Sequence, residues 1–283
     1  MKVVIYQIPG HERSKVICAA WRQGLAAVGQ DYTVRSSVTY LRPDADVAIF
    51  YGLSGRLAHA LRDYPAAGRT ALYVDLGYWG RKDATKEGRF TGFHKISVNG
   101  RHPTAYFQAR AHSDDRFATS GLVVRPWQPP GSSVLIVGMG PKGSAAEGYP
   151  ALGWETEALG VMRARTRRPF IYRPKPNWQA PPRLPGASMA PAGQSLEDAL
   201  RDCHAVVAHH SNAAVEAIVA GVPAFVAEGV AVPMASTDLT QIENPVRPDG
   251  REQWLADIAY TQWSVAEIAT GLPWLHLKSE GLV

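Results

Sequence analysis

The sequence predicts an α/β chain of two doubly wound halves, each a parallel sheet flanked by helices. Short apolar runs alternate with helix-patterned stretches along the whole chain, joined by short turns. A segment rich in proline, glycine and serine, residues 126–133, separates one such series from a second. With 283 residues there is material for two medium domains, each with its own core. The expected division is 1–125 and 134–283, with closing helices that can cross back onto the first domain.

Residues 2–8 read as a first buried strand, and Pro9, Gly10 and His11 as the turn after it. From Ser14 to about Val28, Val16, Ile17, Ala20 and Leu25 recur at helical spacing. Strands are expected at 32–34, 47–51 and 70–75, with a helix carrying Leu57, Ala60 and Leu61 between the last two. A strand at 94–98 sits inside a polar stretch, 80–112, that reads as a long functional loop. Beyond the linker come a strand at 134–137, a glycine-rich turn, a helix near 154–165 and a strand at 169–173. A proline-rich loop covers 174–191, and Ser195 with Asp198 opens a helix in the manner of a capping box. Residues 251–263 and 264–270 read as closing helices, with Trp254 and Trp263 in the core.

The stretch 205–226 organises the second half. An apolar run ends in His209, His210, Ser211 and Asn212; helical spacing follows, stops at Gly221 and Pro223, and gives way to another apolar run. Ser211 is a natural N-cap, and Gly221 stands where a helix end needs a left-handed residue. Asn212 and Glu216, four apart, share a face. Ligands of open parallel sheets bind at the carboxyl ends of strands, where the next helix offers N–H groups and positive dipole. The stretch therefore reads as a site for a phosphorylated ligand.

The net charge of +5 is modest but uneven. Arg163, Arg165, Arg167, Arg168, Arg173 and Lys175 crowd one segment, and Arg81, Lys82, Lys86, Arg89 and Lys95 another. Such patches hold phosphates of a nucleotide or of DNA, or form a solvated rim. No run has the apolar length of a membrane span, and no leader is visible. Cys18 and Cys203 read as buried thiols, without the Cys-x-x-Cys or His-x-x-x-His spacing of a zinc site beside them. A cytoplasmic location, in the host cell if the gene is phage-borne, is the expectation.

The pattern His209-x-Ser211-x-x-x-x-Glu216-Ala217-x-x-x-Gly221-x-Pro223 resembles the nucleotide-binding helix of GT-B glycosyltransferases, especially those of capsular-polysaccharide synthesis. The resemblance implies two Rossmann-like domains facing across a cleft. It places Ser211 and Asn212 at the donor diphosphate and Glu216 at the ribose; His210, at the same strand end, is a further donor-binding candidate. The segment Arg173, Pro174, Lys175, Pro176 resembles the same enzymes' strand-end motif of basic residue, Pro, His, Pro, with Lys175 where that family has His. Arg173 and Lys175 would balance the charge of the departing diphosphate, as cations must in such a transfer. No metal is then required.

Gly138-x-Gly140-x-x-Gly143 after the 134–137 strand matches the dinucleotide fingerprint, which admits an NAD(P) oxidoreductase. Pro141 within it and Gly148 and Pro150 beyond it disturb that reading. On the glycosyltransferase plan, Gly140, Lys142 and Ser144 approach the donor instead. Asp75 ends an apolar strand and is the candidate base that deprotonates an acceptor hydroxyl; His11, His94 and His102 are alternatives. Residues 71–75 are similar to the strand ending in the base aspartate of phage DNA-base β-glucosyltransferases. Tyr78, Trp79, Arg81 and Lys82 suit an acceptor that is a sugar ring or a flipped base.

These observations lead to a metal-independent transferase with a nucleotide-sugar co-substrate, UDP-sugar by preference. Its acceptor is a hydroxymethylated pyrimidine in double-stranded phage DNA, slightly favoured over a surface polysaccharide. A GT-B-like sugar-nucleotide epimerase and a non-catalytic nucleotide- or DNA-binding module are the other classes.

Overall fold

The computed structural model describes residues 1–81, 89–103 and 111–283. The chain forms two compact units, Met1–Ser120 with Ala256–Val283, and Gly121–Leu255. The division falls inside the helix Arg251–Ala259.

The first unit holds a six-stranded sheet. Its strands are β1 (Val3–Gln7), β2 (Tyr32–Ser36), β3 (Val47–Tyr51), β4 (Thr70–Leu76), β5 (Phe93–Val98) and β11 (Gln262–Ser264), in the order β11-β5-β4-β3-β1-β2. The four strands from β2 to β4 are parallel. β5 runs antiparallel to β4, and β11 antiparallel to β5, so the sheet is mixed rather than wholly parallel. Alternation along the central strands feeds two cores, as a sheet covered on both faces requires. Val3, Ile5, Val47 and Ile49 pack with Ile17, Trp21 and Leu25 of the helix Glu12–Ala27. Val4, Tyr6, Ala48 and Phe50 pack with Leu57, Ala60 and Tyr64 of the helix Leu57–Ala66.

The closing residues differ from the expected pair of helices. The first helix stops at Ala259, and Trp263 lies on β11, pairing with His94. A buried edge position suits an aromatic residue as well as a helix does, so apolar content alone does not separate the two. Trp263, Ile268, Trp274 and Leu277 are buried in the same core as Val3 and Ile5. Gly24 permits the approach: a Cβ there would stand 2.0 Å from the Ile268 carbonyl oxygen. A further helix, Leu272–Ser279, ends the unit.

The second unit holds β6 (Ser133–Val137), β7 (Phe170–Arg173), β8 (Ser188–Met189), β9 (Cys203–Ala208) and β10 (Ala224–Val226), in the order β10-β9-β6-β7-β8. All neighbours are parallel. Counted from its own first strand, this is the order 3-2-1-4-5 of a Rossmann-like sheet. Residues 126–133 do not act as a free linker. The Gln128 N–H donates to the Gly221 carbonyl at 2.7 Å, and a Cβ on Gly221 would stand 2.0 Å from the Pro126 oxygen. Gly221 has φ +81°, which a side chain would strain.

Cys18 and Cys203 are buried and unbridged. Burial pushes the Cys18 thiol up to about 11 and the Cys203 thiol up to about 12, so both are inert. Among the described residues, no helix is long and apolar enough to cross a membrane.

Candidate functional site

In the second unit the strand order reverses between β6 and β9, and the crevice outside the carboxyl ends of those strands is where such sheets bind ligands. Register sets the level of each strand end. Arg173 pairs with Val137, Val137 with Ala208, and Ala208 with Val226. One residue further along stand Gly138, His209 and Ala227.

After β6 the chain turns under close constraint. A Cβ on Gly138 would lie 2.5 Å from the Tyr172 hydroxyl. Gly140 adopts φ +76°, and the Lys175 stem passes 3.3 Å from where its Cβ would be. The structure thus brings Gly140 and Lys175 together. The helix that follows, Pro141–Ala146, has six residues. A dinucleotide fingerprint needs a full-length helix here, so the oxidoreductase reading loses its structural context. Ser144 is buried, and its hydroxyl donates to the Gly140 carbonyl at 3.2 Å. It closes the turn and does not face a ligand. Lys142 is exposed.

Glu155 escaped the sequence reading. It is fully buried on the helix Gly153–Arg163, and its Oε1 accepts the Met139 N–H at 2.8 Å. Among the described residues, its Oε2 and the Tyr172 hydroxyl have no hydrogen-bond partner. Burial, reinforced by the Glu155 carboxylate, pushes the Tyr172 hydroxyl well above its ordinary range. A glutamate in an amphipathic helix reads as solvated; only packing shows that it pins the glycine turn.

After β9, the His209 and His210 Nδ1 atoms are 2.8 Å apart, and each lies near Glu228 Oε1, at 3.7 and 3.5 Å. The His209 ring is buried edge-on to Trp154 and Tyr149, so His210 is the more exposed of the pair. Ser211 caps the helix Asn212–Val219, its hydroxyl accepting the Ala213 N–H at 3.2 Å. Glu216 is exposed on that helix and lines a groove of about 350 Å³ with Leu122, Val123, Arg125, Leu196 and Leu200. Glu147, His209 and Glu228 place ligand atoms within 4.8 Å of one another and could hold a cation.

The basic segment is divided. Arg163, Arg165, Arg167 and Arg168 precede β7, at the sheet edge opposite Arg173. Arg168 pairs with Glu243 at 3.1 Å, and Arg163 donates to the Gly186 carbonyl at 3.0 Å. Arg173 donates to the Gln194 carbonyl at 2.8 Å.

In the first unit the order reverses between β1 and β3. Arg13 stands there, donating to the Tyr51 hydroxyl at 2.9 Å with its guanidinium 4.5 Å from the Phe90 ring. His11 caps the helix Glu12–Ala27, accepting the Ser14 N–H at 3.2 Å. Asp75 lies at the same edge on β4, half-buried, accepting from the Tyr73 hydroxyl at 2.7 Å and from the Leu76 N–H at 2.8 Å. Burial first and Asp75 second push the Tyr73 hydroxyl up, so it stays a donor. His94 is buried, its Nδ1 at 2.9 Å from the Gly92 carbonyl, and His102 lies 3.4 Å from Lys95 Nζ. Tyr78 is buried in the unit, which removes its ring from contact with an acceptor. Trp79 is half-buried and Arg81 exposed; Lys82 and Lys86 lie outside the described residues.

No family model and no curated protein sequence matches the chain. Among solved structures, the KpsC β-Kdo 2,7-transferase of Thermosulfurimonas dismutans superposes with a TM-score of 0.59 at 12% identity, over 97% of this chain and 99% of that one. The KpsC β-Kdo 2,4-transferase of the same organism gives 0.53 at 11% identity, over 93% and 92%. The chain has the GT-B fold. Its GT-B architecture agrees with the two sheets described above, and at these identities the likeness concerns the fold alone.

Proposed function

We propose that this GT-B chain is a glycosyltransferase using a nucleotide-sugar donor. The observation that carries the reading is the convergence, at the β6–β9 reversal, of the Gly138–Gly140 turn, the His209–His210 pair and the helix opened by Ser211. A helix start at a switch point stabilises phosphate through N–H groups and dipole. Ser211, Asn212 and His210 bind the donor phosphates, with Gly140, Lys142, Arg173 and Lys175 around them. Glu216 binds the ribose. Positive groups there stabilise the charge that grows on the leaving phosphate as the glycosidic bond breaks. Asp75 is the base for the acceptor hydroxyl, with Arg13, Tyr51, Trp79 and Arg81 as acceptor contacts.

A saccharide hydroxyl suits this surface better than a DNA base. Arg163 and Arg168 are spent on internal partners, whereas duplex binding needs many cations turned toward phosphates. The two neighbours reported above are Kdo transferases by name, which fits a saccharide acceptor.

A thermal-shift screen against nucleotides and nucleotide sugars tests the donor. Stabilisation by a nucleotide, reduced in Ser211→Asp and Arg173→Ala, supports the reading; no response to any member of the panel overturns it. Mass spectrometry of products from glycan and hydroxymethylated-DNA acceptors then decides the acceptor, and turnover of donor without acceptor would favour an epimerase.

A further inference from the structure

A second histidine cluster lies in the first unit, away from the residues assigned above. His112 precedes the short helix Asp115–Ala118; His276 lies on the helix Leu272–Ser279, and Glu280 caps its end. His276 and Glu280 are four apart, so their side chains leave one face of that helix. One ligand atom from each of His112, His276 and Glu280 lies within 4.8 Å of the others. We infer that these three residues form a binding site for one divalent transition-metal ion, Zn2+ by its ligand chemistry.

Three features support the inference. First, Asp257 Oδ1 lies 3.1 Å from His112 Nδ1 and accepts the His112 backbone N–H at 2.8 Å. A carboxylate on one imidazole nitrogen fixes the tautomer, orients the ring and leaves the lone pair on Nε2, which is the usual support of a metal-binding histidine. Second, the rings are held. His112 stacks on Tyr260 at 4.6 Å and 19°, and His276 packs against Tyr260 at 5.2 Å and Trp263 at 5.6 Å. Rings that are already ordered lose little entropy on binding.

Third, the donor set and spacing suit the ion. Two imidazoles and one carboxylate select zinc over magnesium or calcium, which take oxygen ligands. Metal–ligand bonds of about 2.0–2.2 Å would bring the ligand atoms to about 3.4 Å apart. With the ligand atoms no more than 4.8 Å apart, closing to that spacing asks for side-chain adjustment of at most about an ångström. The nearby Arg116 guanidinium is engaged elsewhere, at 2.7 Å from Glu267 and 3.8 Å over the Trp263 ring. Bound metal would tie the chain at His112 to the closing helix of the same unit.

The test uses the full chain stripped with a chelator and titrated with Zn2+ by calorimetry. The His112–His276–Glu280 site should take one equivalent and raise the melting temperature, while Mg2+ should do neither. His276→Ala and Glu280→Gln should each weaken zinc at least about tenfold, and Asp257→Asn by about 10–100-fold, with the metal-free melt of Glu280→Gln unchanged. Co2+ in place of Zn2+ should give the visible absorption of a four-coordinate site, a readout that does not depend on any variant folding. His209→Ala, which removes the Glu147–His209–Glu228 group of the other unit, should leave one equivalent bound. The inference fails if no stoichiometric zinc binds, if binding survives His276→Ala and Glu280→Gln unchanged, or if His209→Ala removes it.

Discussion

The Tyr172 hydroxyl occupies the space that a side chain on Gly138 would need, 2.5 Å from the ideal Cβ position. One strand's aromatic residue thereby holds the neighbouring strand's turn flat against it. Gly138→Ala should cost about 1–3 kcal/mol through overpacking. Urea unfolding measures the loss, and Tyr172→Phe in the same chain should restore part of it, because only the hydroxyl is removed.

Glu155 should behave as a support of the donor turn. Glu155→Ala leaves the buried Met139 N–H without its acceptor, at about 1–3 kcal/mol, while Glu155→Gln keeps a carbonyl for it. If the glutamine variant melts like the alanine variant, the Met139 contact is not what Glu155 contributes.

Ser211 is asked to do two things, and two substitutions separate them. Ser211→Ala should lose about 1 kcal/mol with the cap. Ser211→Asp keeps a capping oxygen but sets a negative charge beside the donor phosphates. It should therefore fold normally and lose most of the nucleotide-induced thermal shift. An aspartate variant that binds nucleotide as the wild type does would place the phosphates elsewhere.

Asp75→Asn should lower kcat by a factor on the order of 10² or more, with the donor-induced thermal shift unaltered. Tyr73→Phe removes one hydrogen bond to the carboxylate and should lower kcat less. Equal losses of kcat and donor binding in Asp75→Asn would argue against its role as base.

His204 gives the stability a pH dependence near neutrality. Burial lowers its pKa, and its Nε2 lies 2.8 Å from the Ile242 carbonyl, among Arg168, Glu243 and Arg247. A lowered folded value means that the unfolded chain binds the proton more readily. Stability is then complete above about pH 6.5 and falls as pH drops toward the folded value. Urea midpoints at about pH 8 and about pH 5.5 should differ, and the difference should shrink in His204→Gln, which does not titrate.

Much of this protein follows from local pattern. The strand and helix at 205–219, the Ser211 cap, the Gly221 stop and the central strand Val47–Tyr51 follow from apolar spacing and backbone preference, which act within a few residues. Contacts between distant residues do not. Trp263 pairs on β11 with a strand far earlier in the chain, and residues 256–283 join the first unit because Gly24 lets a helix come close. Glu155 beneath the Met139 turn and His112 beside His276 and Glu280 are likewise set by packing. Periodicity states which face of an element is buried, but not against what, so the strand order, the switch points and the clusters they assemble were decided only by tertiary structure.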